Sequence, residues 1–174
     1  MRLSDWRGRT PHRDSMTSRV VSVVVPVITA MGADADPECW VVWGDDPAVR
    51  YIVFIPTAAG LLQVHVRVNV PQEGPRASGK LVRWGRVQTG ELAMEVAGGH
   101  RLLSFQLEGQ VLKGSDEDAD AIAGFALVLF AAMDGRVVEV APPARGRSRA
   151  RARASASARS KPAERPQLPP PAGA

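Results

Sequence analysis

The stretch of residues 61–70, with the sequence LLQVHVRVNV, decides the class of this fold. From Val64 to Val70, valine occupies every second position, and polar residues occupy the positions between. Because successive side chains of a β-strand point to opposite faces, this period of two predicts a strand with one buried face and one polar face.

Strand-like segments lie on both sides of this stretch. Apolar or β-branched runs predict six more strands, over residues 20–28, 39–43, 49–55, 79–88, 91–96 and 101–108. Pro26 demotes the first of these to an edge or bulged strand, because proline cannot donate a hydrogen bond to a sheet. Gly98 and Gly99 predict a tight hairpin between the last two strands.

The period changes to that of a helix after residue 114. Acidic residues over 116–120 suit a helix N-terminus, and Gly135 suits the C-terminal stop. A helix is therefore predicted over about 115–134, with Leu127 and Val128 outside its main apolar stripe. The helix is then either buried on more than one side or offers apolar surface to a partner. The stripe consists of Ile122, Phe125, Ala126, Leu129, Phe130 and Met133.

Seven antiparallel strands followed by one helix predict an α+β fold, in which the strands form a curled sheet or a partly open barrel. The order of the elements resembles that of the pleckstrin-homology superfold. The resemblance is one of element order, with no accompanying family motif. A fold shared by many functions implies no particular activity.

Charge divides the chain of 174 residues into three parts. Its net charge of +4 is the sum of +2 over residues 1–15, −5 over 16–143 and +7 over 144–174. We predict a flexible N-terminal segment over 1–15, a single β-rich domain over 16–143 and a disordered tail over 144–174. The tail is rich in Arg, Ala, Ser and Pro, and its one large aliphatic residue is Leu168. The acidic domain, where it binds through charge, is expected to favour a basic partner.

The sequence contains no arrangement of residues from which an active site can be assembled, so we predict no enzyme, no cofactor and no metal site. Residues 74–80 have the glycine and lysine spacing of a phosphate-binding loop. Leu81, however, stands where that loop needs Ser or Thr, and the segment continues as a strand. Cys39 is predicted to be a buried, inert thiol, and the three histidines are too few for a structural zinc site.

We therefore predict a non-catalytic protein-interaction module of the adaptor or scaffold type, which uses a strand edge, a rim tryptophan or the back of the helix. Trp40 and Trp43 are three positions apart and cannot both point inward on a regular strand, so one of them is expected to anchor a partner at a rim. On the helix, Leu127 and Val128 are the candidates. The oligomeric state stays open.

The alternative is a nucleic-acid-associated protein that binds RNA or DNA phosphates through its arginine-rich tail. Arg83 and Arg86 flank Trp84 in a predicted strand and could assist by clamping a phosphate or stacking on a base. The candidates in the tail are Arg145, Arg147, Arg149, Arg151 and Arg153.

The N-terminus admits two interpretations. Five arginines precede the apolar residues 20–31, and a small-x-small sequence follows at 33–35, which is the layout of a secretory signal. Asp5, Asp14 and Pro26 argue against a signal. The apolar segment 20–28 is instead predicted as the first strand of the sheet. We predict an intracellular location, in cytoplasm or nucleus, with export as the alternative and Met16 as an alternative start. No run approaches the roughly 20 apolar residues of a membrane span.

Overall fold

The computed structural model describes residues 2–6 and 15–136. It contains three helices and seven strands in that part of the chain. The helices are α1 (Leu3–Trp6), α2 (Ser18–Ala30) and α3 (Glu117–Met133). The strands are β1 (Val41–Asp46), β2 (Arg50–Thr57), β3 (Gly60–Arg67), β4 (Arg76–Arg83), β5 (Thr89–Ala97), β6 (His100–Leu107) and β7 (Gln110–Ser115). Of these helices, none is long and apolar enough to cross a membrane.

The strands form two antiparallel sheets, one of four strands in the order β1-β2-β3-β4 and one of three in the order β5-β6-β7. The predicted α+β class and the C-terminal helix are confirmed. The strands lie in two sheets that are not closed into a barrel, whereas the sequence predicts a single curled sheet or a partly open barrel. The break lies inside the segment 79–88, where the chain leaves β4 after Arg83 and forms a 3-10 turn over Trp84–Arg86. The strand that follows this turn pairs with β6 and not with β4.

The first predicted strand, over residues 20–28, is wrong, because this segment is the helix α2. Thr17 caps its N-terminus by accepting a hydrogen bond from the Val20 backbone nitrogen. Val20, Val24 and Ile28 are fully buried at a spacing of four residues, so the helix turns one continuous apolar stripe toward the sheet. Tertiary packing thus overrides the β-propensity of the valines, and Pro26 is accommodated within the helix.

The strand β7 was not predicted. The expected number of seven strands nevertheless agrees with the structure, because the missed strand β7 offsets the segment 20–28, which was predicted as a strand and is a helix. Glu108 and Gly109 both have positive φ angles, 51° and 76°, and make the tight turn from β6 into β7. β7 has only two large apolar residues, Val111 and Leu112, which is too short a run to show a period. The Gly98–Gly99 hairpin is confirmed, with φ angles of 59° and 83°.

The four-stranded sheet is buried on both faces. On one face, which we call the helix-side core, α1 and α2 cover it; on the other, the inter-sheet core, the three-stranded sheet and α3 cover it. The buried helix-side residues are Leu3, Trp6, Met16, Val20, Val24, Ile28, Tyr51, Val53, Ile55, Leu62, Val64, Val66 and Val68. The buried inter-sheet residues are Val41, Ile52, Phe54, Leu61, Val82, Val87, Leu103, Phe105, Leu107, Leu112, Ala119, Ile122, Phe125, Ala126 and Leu129.

The polar face predicted for β3 is therefore partly buried. Gln63 is only 5% exposed, and its amide nitrogen donates a 3.0 Å hydrogen bond to a Glu108 carboxylate oxygen. The other oxygen of Glu108 accepts a 2.7 Å bond from the Gln88 backbone nitrogen. This carboxylate links the two sheets where they meet. Further along β3, His65 and Arg67 are exposed, as the period of two predicts.

The N-terminal segment takes part in the packing. Leu3 and Trp6, assigned above to a flexible segment, are buried, and the Trp6 ring lies 5.5 Å from Trp40 and 5.3 Å from Tyr51. A helix of four residues with two apolar side chains carries no readable period, so the sequence did not reveal it. Residues 7–14 and 137–174, which include the predicted tail, lie outside the described residues.

Candidate functional site

The outer edge of the three-stranded sheet is open. Within the described residues, β5 pairs with β6 alone. Leu92, Met94 and Val96 of β5 are 41%, 57% and 73% exposed. Leu92 and Met94 lie directly opposite the buried Phe105 and Leu103, so the three residues continue the face of the inter-sheet core beyond the edge of that core. We call them the β5 apolar row.

The other side of β5 is acidic. Glu91 and Glu95 are exposed and alternate with the β5 apolar row along the strand. The strand is nine residues long and contains neither lysine nor proline, two devices that commonly block the pairing of an exposed edge. A register shift between Thr89 and Leu92 is its one irregularity in the pairing with β6. From Leu92 to Ala97 the pairing with β6 is regular.

The two predicted anchor tryptophans lie on opposite faces of the four-stranded sheet. Trp40 packs against the helix-side core and Trp43 against the inter-sheet core, and both are half-buried. Their spacing of three positions does place them on opposite faces. The expectation that they cannot both point inward fails, however, because the sheet is covered on both faces and each tryptophan packs against a core. A role of either residue as a partner anchor stays a prediction. Trp43 also borders a surface depression.

The two candidates on the helix back differ in exposure. Leu127 is 67% exposed, whereas Val128 is half-buried on α3. Leu127 is thus an isolated exposed leucine on its helix, and single exposed apolar residues are common on protein surfaces. The β5 apolar row, which sequence reasoning did not single out, offers the larger apolar surface.

The nucleic-acid candidates of the domain surround the 3-10 turn. Trp84 is half-buried against the inter-sheet core, while Arg83 and Arg86 on either side of it are exposed. The structure therefore places the two guanidinium groups in solvent and the indole ring partly in the core. The tail candidates Arg145, Arg147, Arg149, Arg151 and Arg153 lie outside the described residues.

A basic row crosses the four-stranded sheet at the end of the strands. Arg50 of β2 lies directly opposite Arg67 of β3, which lies directly opposite Arg76 of β4. All three are exposed. In the next row on the same face, Ile52, His65 and Ser78 are aligned in the same way, with Trp43 beside Ile52. These two rows line a depression of about 560 Å³.

The charges on this face are incompletely compensated. Arg76 forms an ion pair with Glu73, and Asp46 lies opposite Arg50 in the pairing of β1 with β2. Arg50 and Arg67 have no ion-pair partner within residues 2–6 and 15–136. Partial burial lowers the pKa of His65, and the positive charge of Lys80 lowers it further. A segment that is acidic on average thus carries a locally basic surface.

The described residues contain no group of three or more His, Cys, Asp or Glu side chains that could hold a metal ion. Cys39 is half-buried, and burial raises the pKa of its thiol to about 11. A thiol with so high a pKa is protonated near neutral pH and is a poor nucleophile. Lys80 of the phosphate-loop-like segment lies within β4, away from any helix N-terminus among the elements described.

Comparisons with protein-family models, with curated proteins and with solved structures give no match. The likeness to the pleckstrin-homology order therefore stays a prediction.

Proposed function

We propose that this chain is a non-catalytic protein-interaction module that binds an extended segment of a partner protein by adding it to β5 as a further strand. The observation that carries the proposal is the open edge of β5 together with the β5 apolar row. An unpaired strand edge presents backbone donors and acceptors, which a second strand can satisfy. Binding of this kind requires no catalytic or cofactor-binding residues, as expected of an adaptor or scaffold.

The side chains of β5 define the partner segment. One face of an added strand would lie beside Leu92, Met94 and Val96 and would bury them with apolar side chains of its own. The other face would lie beside Glu91 and Glu95, where lysine or arginine side chains are favoured, because opposite charges on neighbouring strands attract. The expected partner is an extended segment in which apolar and basic residues alternate.

The β5 apolar row supplies affinity for such a segment. Complete burial of a large apolar side chain contributes about 1.5–3 kcal/mol relative to full exposure. The side chains of the row are roughly half exposed, so about 1 kcal/mol each is available on binding. Backbone hydrogen bonds along the strand add to this energy and set the register.

The proposal includes two broader properties of the chain, a pleckstrin-homology-like order of elements and an intracellular location. The succession of a four-strand meander, a three-strand meander and a C-terminal helix supports a likeness to the pleckstrin-homology order. The burial of Val20, Val24 and Ile28 in the helix-side core supports the retention of α2 in the functional protein, and with it an intracellular location.

Site-directed photo-crosslinking tests the proposal. A photo-reactive phenylalanine analogue is placed at Met94 in the full chain, expressed in the native host, and a second version carries it at Leu127. Both positions are exposed, at 57% and 67%, so the analogue has similar access to nonspecific crosslinking partners at each. We expect one discrete adduct from position 94 and none of that mass from position 127.

A positive charge introduced into the β5 apolar row provides the specificity control. Leu92→Lys should abolish the adduct at position 94, whereas Val49→Lys, at another exposed apolar site, should leave it unchanged. Mass spectrometry should assign the crosslink to an extended, alternating segment of a different protein. An adduct of twice the chain mass would identify a second copy as the occupant, and identical patterns at both positions would contradict the proposal.

A further inference from the structure

The three aligned arginines of the four-stranded sheet have no role in strand addition at β5, which belongs to the other sheet. Arg50, Arg67 and Arg76 are directly opposite one another on adjacent strands. Like charges at directly opposite positions destabilise a sheet. Glu73 pairs with Arg76, and Asp46 lies opposite Arg50. The repulsion is therefore least compensated at Arg67, where a bound anion would relieve it.

The row is linear. Neighbouring strands lie about 4.8 Å apart, so the three arginines extend over roughly 10 Å. A single phosphate is bound best by donors that converge on one point, whereas a line of guanidinium groups matches an extended chain of negative charges. Arg67, at the centre, has no ion-pair partner in the described part of the chain, which leaves its guanidinium available.

Two ring side chains lie in the row beside the arginines, on the same face of the sheet. His65 is two residues along β3 from Arg67, which corresponds to roughly 7 Å, and Ile52 lies between His65 and Trp43. Both rows line the same depression of about 560 Å³, together with Ser78. Rings beside a basic track are the combination that binds single-stranded nucleic acids, because bases stack on the rings while arginines contact the phosphates.

We propose that this face of the four-stranded sheet binds single-stranded nucleic acid, with phosphates along Arg50, Arg67 and Arg76 and bases against Trp43 and His65. The site is distinct from the segment around Arg83 and Arg86. Arg83 points away from it, because it is one residue beyond Val82 of the inter-sheet face and so lies on the opposite face of β4. It also differs from the tail, so its contribution can be measured with the tail present.

Binding of a 12-residue oligouridylate, labelled with a fluorophore, to the full-length chain tests the site. Arg67→Ser removes the central contact, and Arg83→Ser removes the same charge from an exposed residue outside the row. Because the tail is identical in both variants, its contribution cancels. We expect Arg67→Ser to weaken binding roughly tenfold, the loss of one charge-assisted hydrogen bond, and Arg83→Ser to weaken it less than about twofold. The salt slope should fall by about 0.7 for Arg67→Ser.

The titration of His65 by NMR gives a second readout that the tail does not influence. A bound polyanion should raise the pKa of His65, because negative charge favours the imidazolium form against burial and the positive charge of Lys80. The ring resonances of His100, which contacts Asp116 elsewhere, should not shift when the oligouridylate is added. Equal losses for Arg67→Ser and Arg83→Ser, or an unchanged His65, would overturn the proposal. Inorganic tripolyphosphate acting as well as the oligouridylate at equal phosphate concentration would overturn the assignment to nucleic acid.

Discussion

Both sheets of this protein are antiparallel and connect their strands in sequence order, but they differ in how much of their surface is buried. The four-stranded sheet has a core on each face, and its β2 and β3 are buried almost without interruption. The three-stranded sheet has a core on one face, and its outer strand β5 has no fully buried residue. The difference indicates that the four-stranded sheet carries most of the stability, whereas the outer strand of the three-stranded sheet leaves its edge exposed.

The largest expected difference between the sheets comes from one substitution made in each. Leu62→Ala, at a fully buried position of β3, should lower the free energy of unfolding by about 2–5 kcal/mol, because it leaves a cavity in the helix-side core. Leu92→Ala in β5 should cost less than about 0.5 kcal/mol. Urea denaturation of both variants measures the two values. Equal losses would show that β5 is covered.

The packing of α2 against the four-stranded sheet can be disturbed at Gly79. A Cβ at this position would lie 2.8 Å from Val27 Cγ1 and 3.0 Å from Met31 Cγ, so α2 packs directly on the glycine. Gly79→Val should lower the free energy of unfolding by about 2 kcal/mol through overpacking. Gly85, with open space around it, is the matched control. If Gly79→Val melts at the same temperature as Gly85→Val, the helix does not lie on the sheet.

Tyr51 tests whether the residues just before α2 belong to the helix-side core. Its hydroxyl donates a 2.9 Å hydrogen bond to the Ser15 backbone carbonyl, and burial raises the pKa of Tyr51 well above its usual value. Tyr51→Phe leaves that carbonyl without its partner and should cost about 1 kcal/mol. Its thermal midpoint should therefore fall by a few degrees. An unchanged midpoint would mean that the hydrogen bond is not formed in solution.

The smallest effect is expected at Asp116, the exposed residue between β7 and α3. The pKa of Asp116 is lowered by its hydrogen bond with His100 and by the backbone N–H of Arg101. The ionised carboxylate therefore stabilises the fold above the pKa of unfolded aspartate, and this contribution is lost as the pH falls through the lower folded pKa. Asp116→Asn should be slightly less stable than the parent chain near neutral pH and equally stable in strong acid. A difference that grows toward low pH would contradict this account.

Several features of the fold could be predicted from the sequence because they depend on neighbouring residues alone. The period-two valines of β3, the apolar stripe of α3 and the Gly98–Gly99 turn are local signals, and all three elements form as expected. α2 could not be identified in this way, since a valine-rich run has a high propensity for strands. Its helical state depends on the uncovered face of the four-stranded sheet, which is a property of the folded chain.

The candidate sites could not be predicted from the sequence for the same reason. Arg50, Arg67 and Arg76 are far apart in sequence, and only the register of three strands brings them into one row. The net charge of −5 over residues 16–143 gave no sign of this surface. Leu92, Met94 and Val96 are spaced as in any half-buried strand, and their exposure follows from the position of β5 at the end of the sheet.

Hydrogen–deuterium exchange of the full chain at low micromolar concentration tests the central claim, that β5 is an open edge. We predict that amides of β3 exchange only through global unfolding, whereas those amides of β5 that point away from β6 exchange within seconds. Protection of all β5 amides to the level of β3 would mean that the edge is already covered in the isolated protein. That result would contradict the proposed site of strand addition.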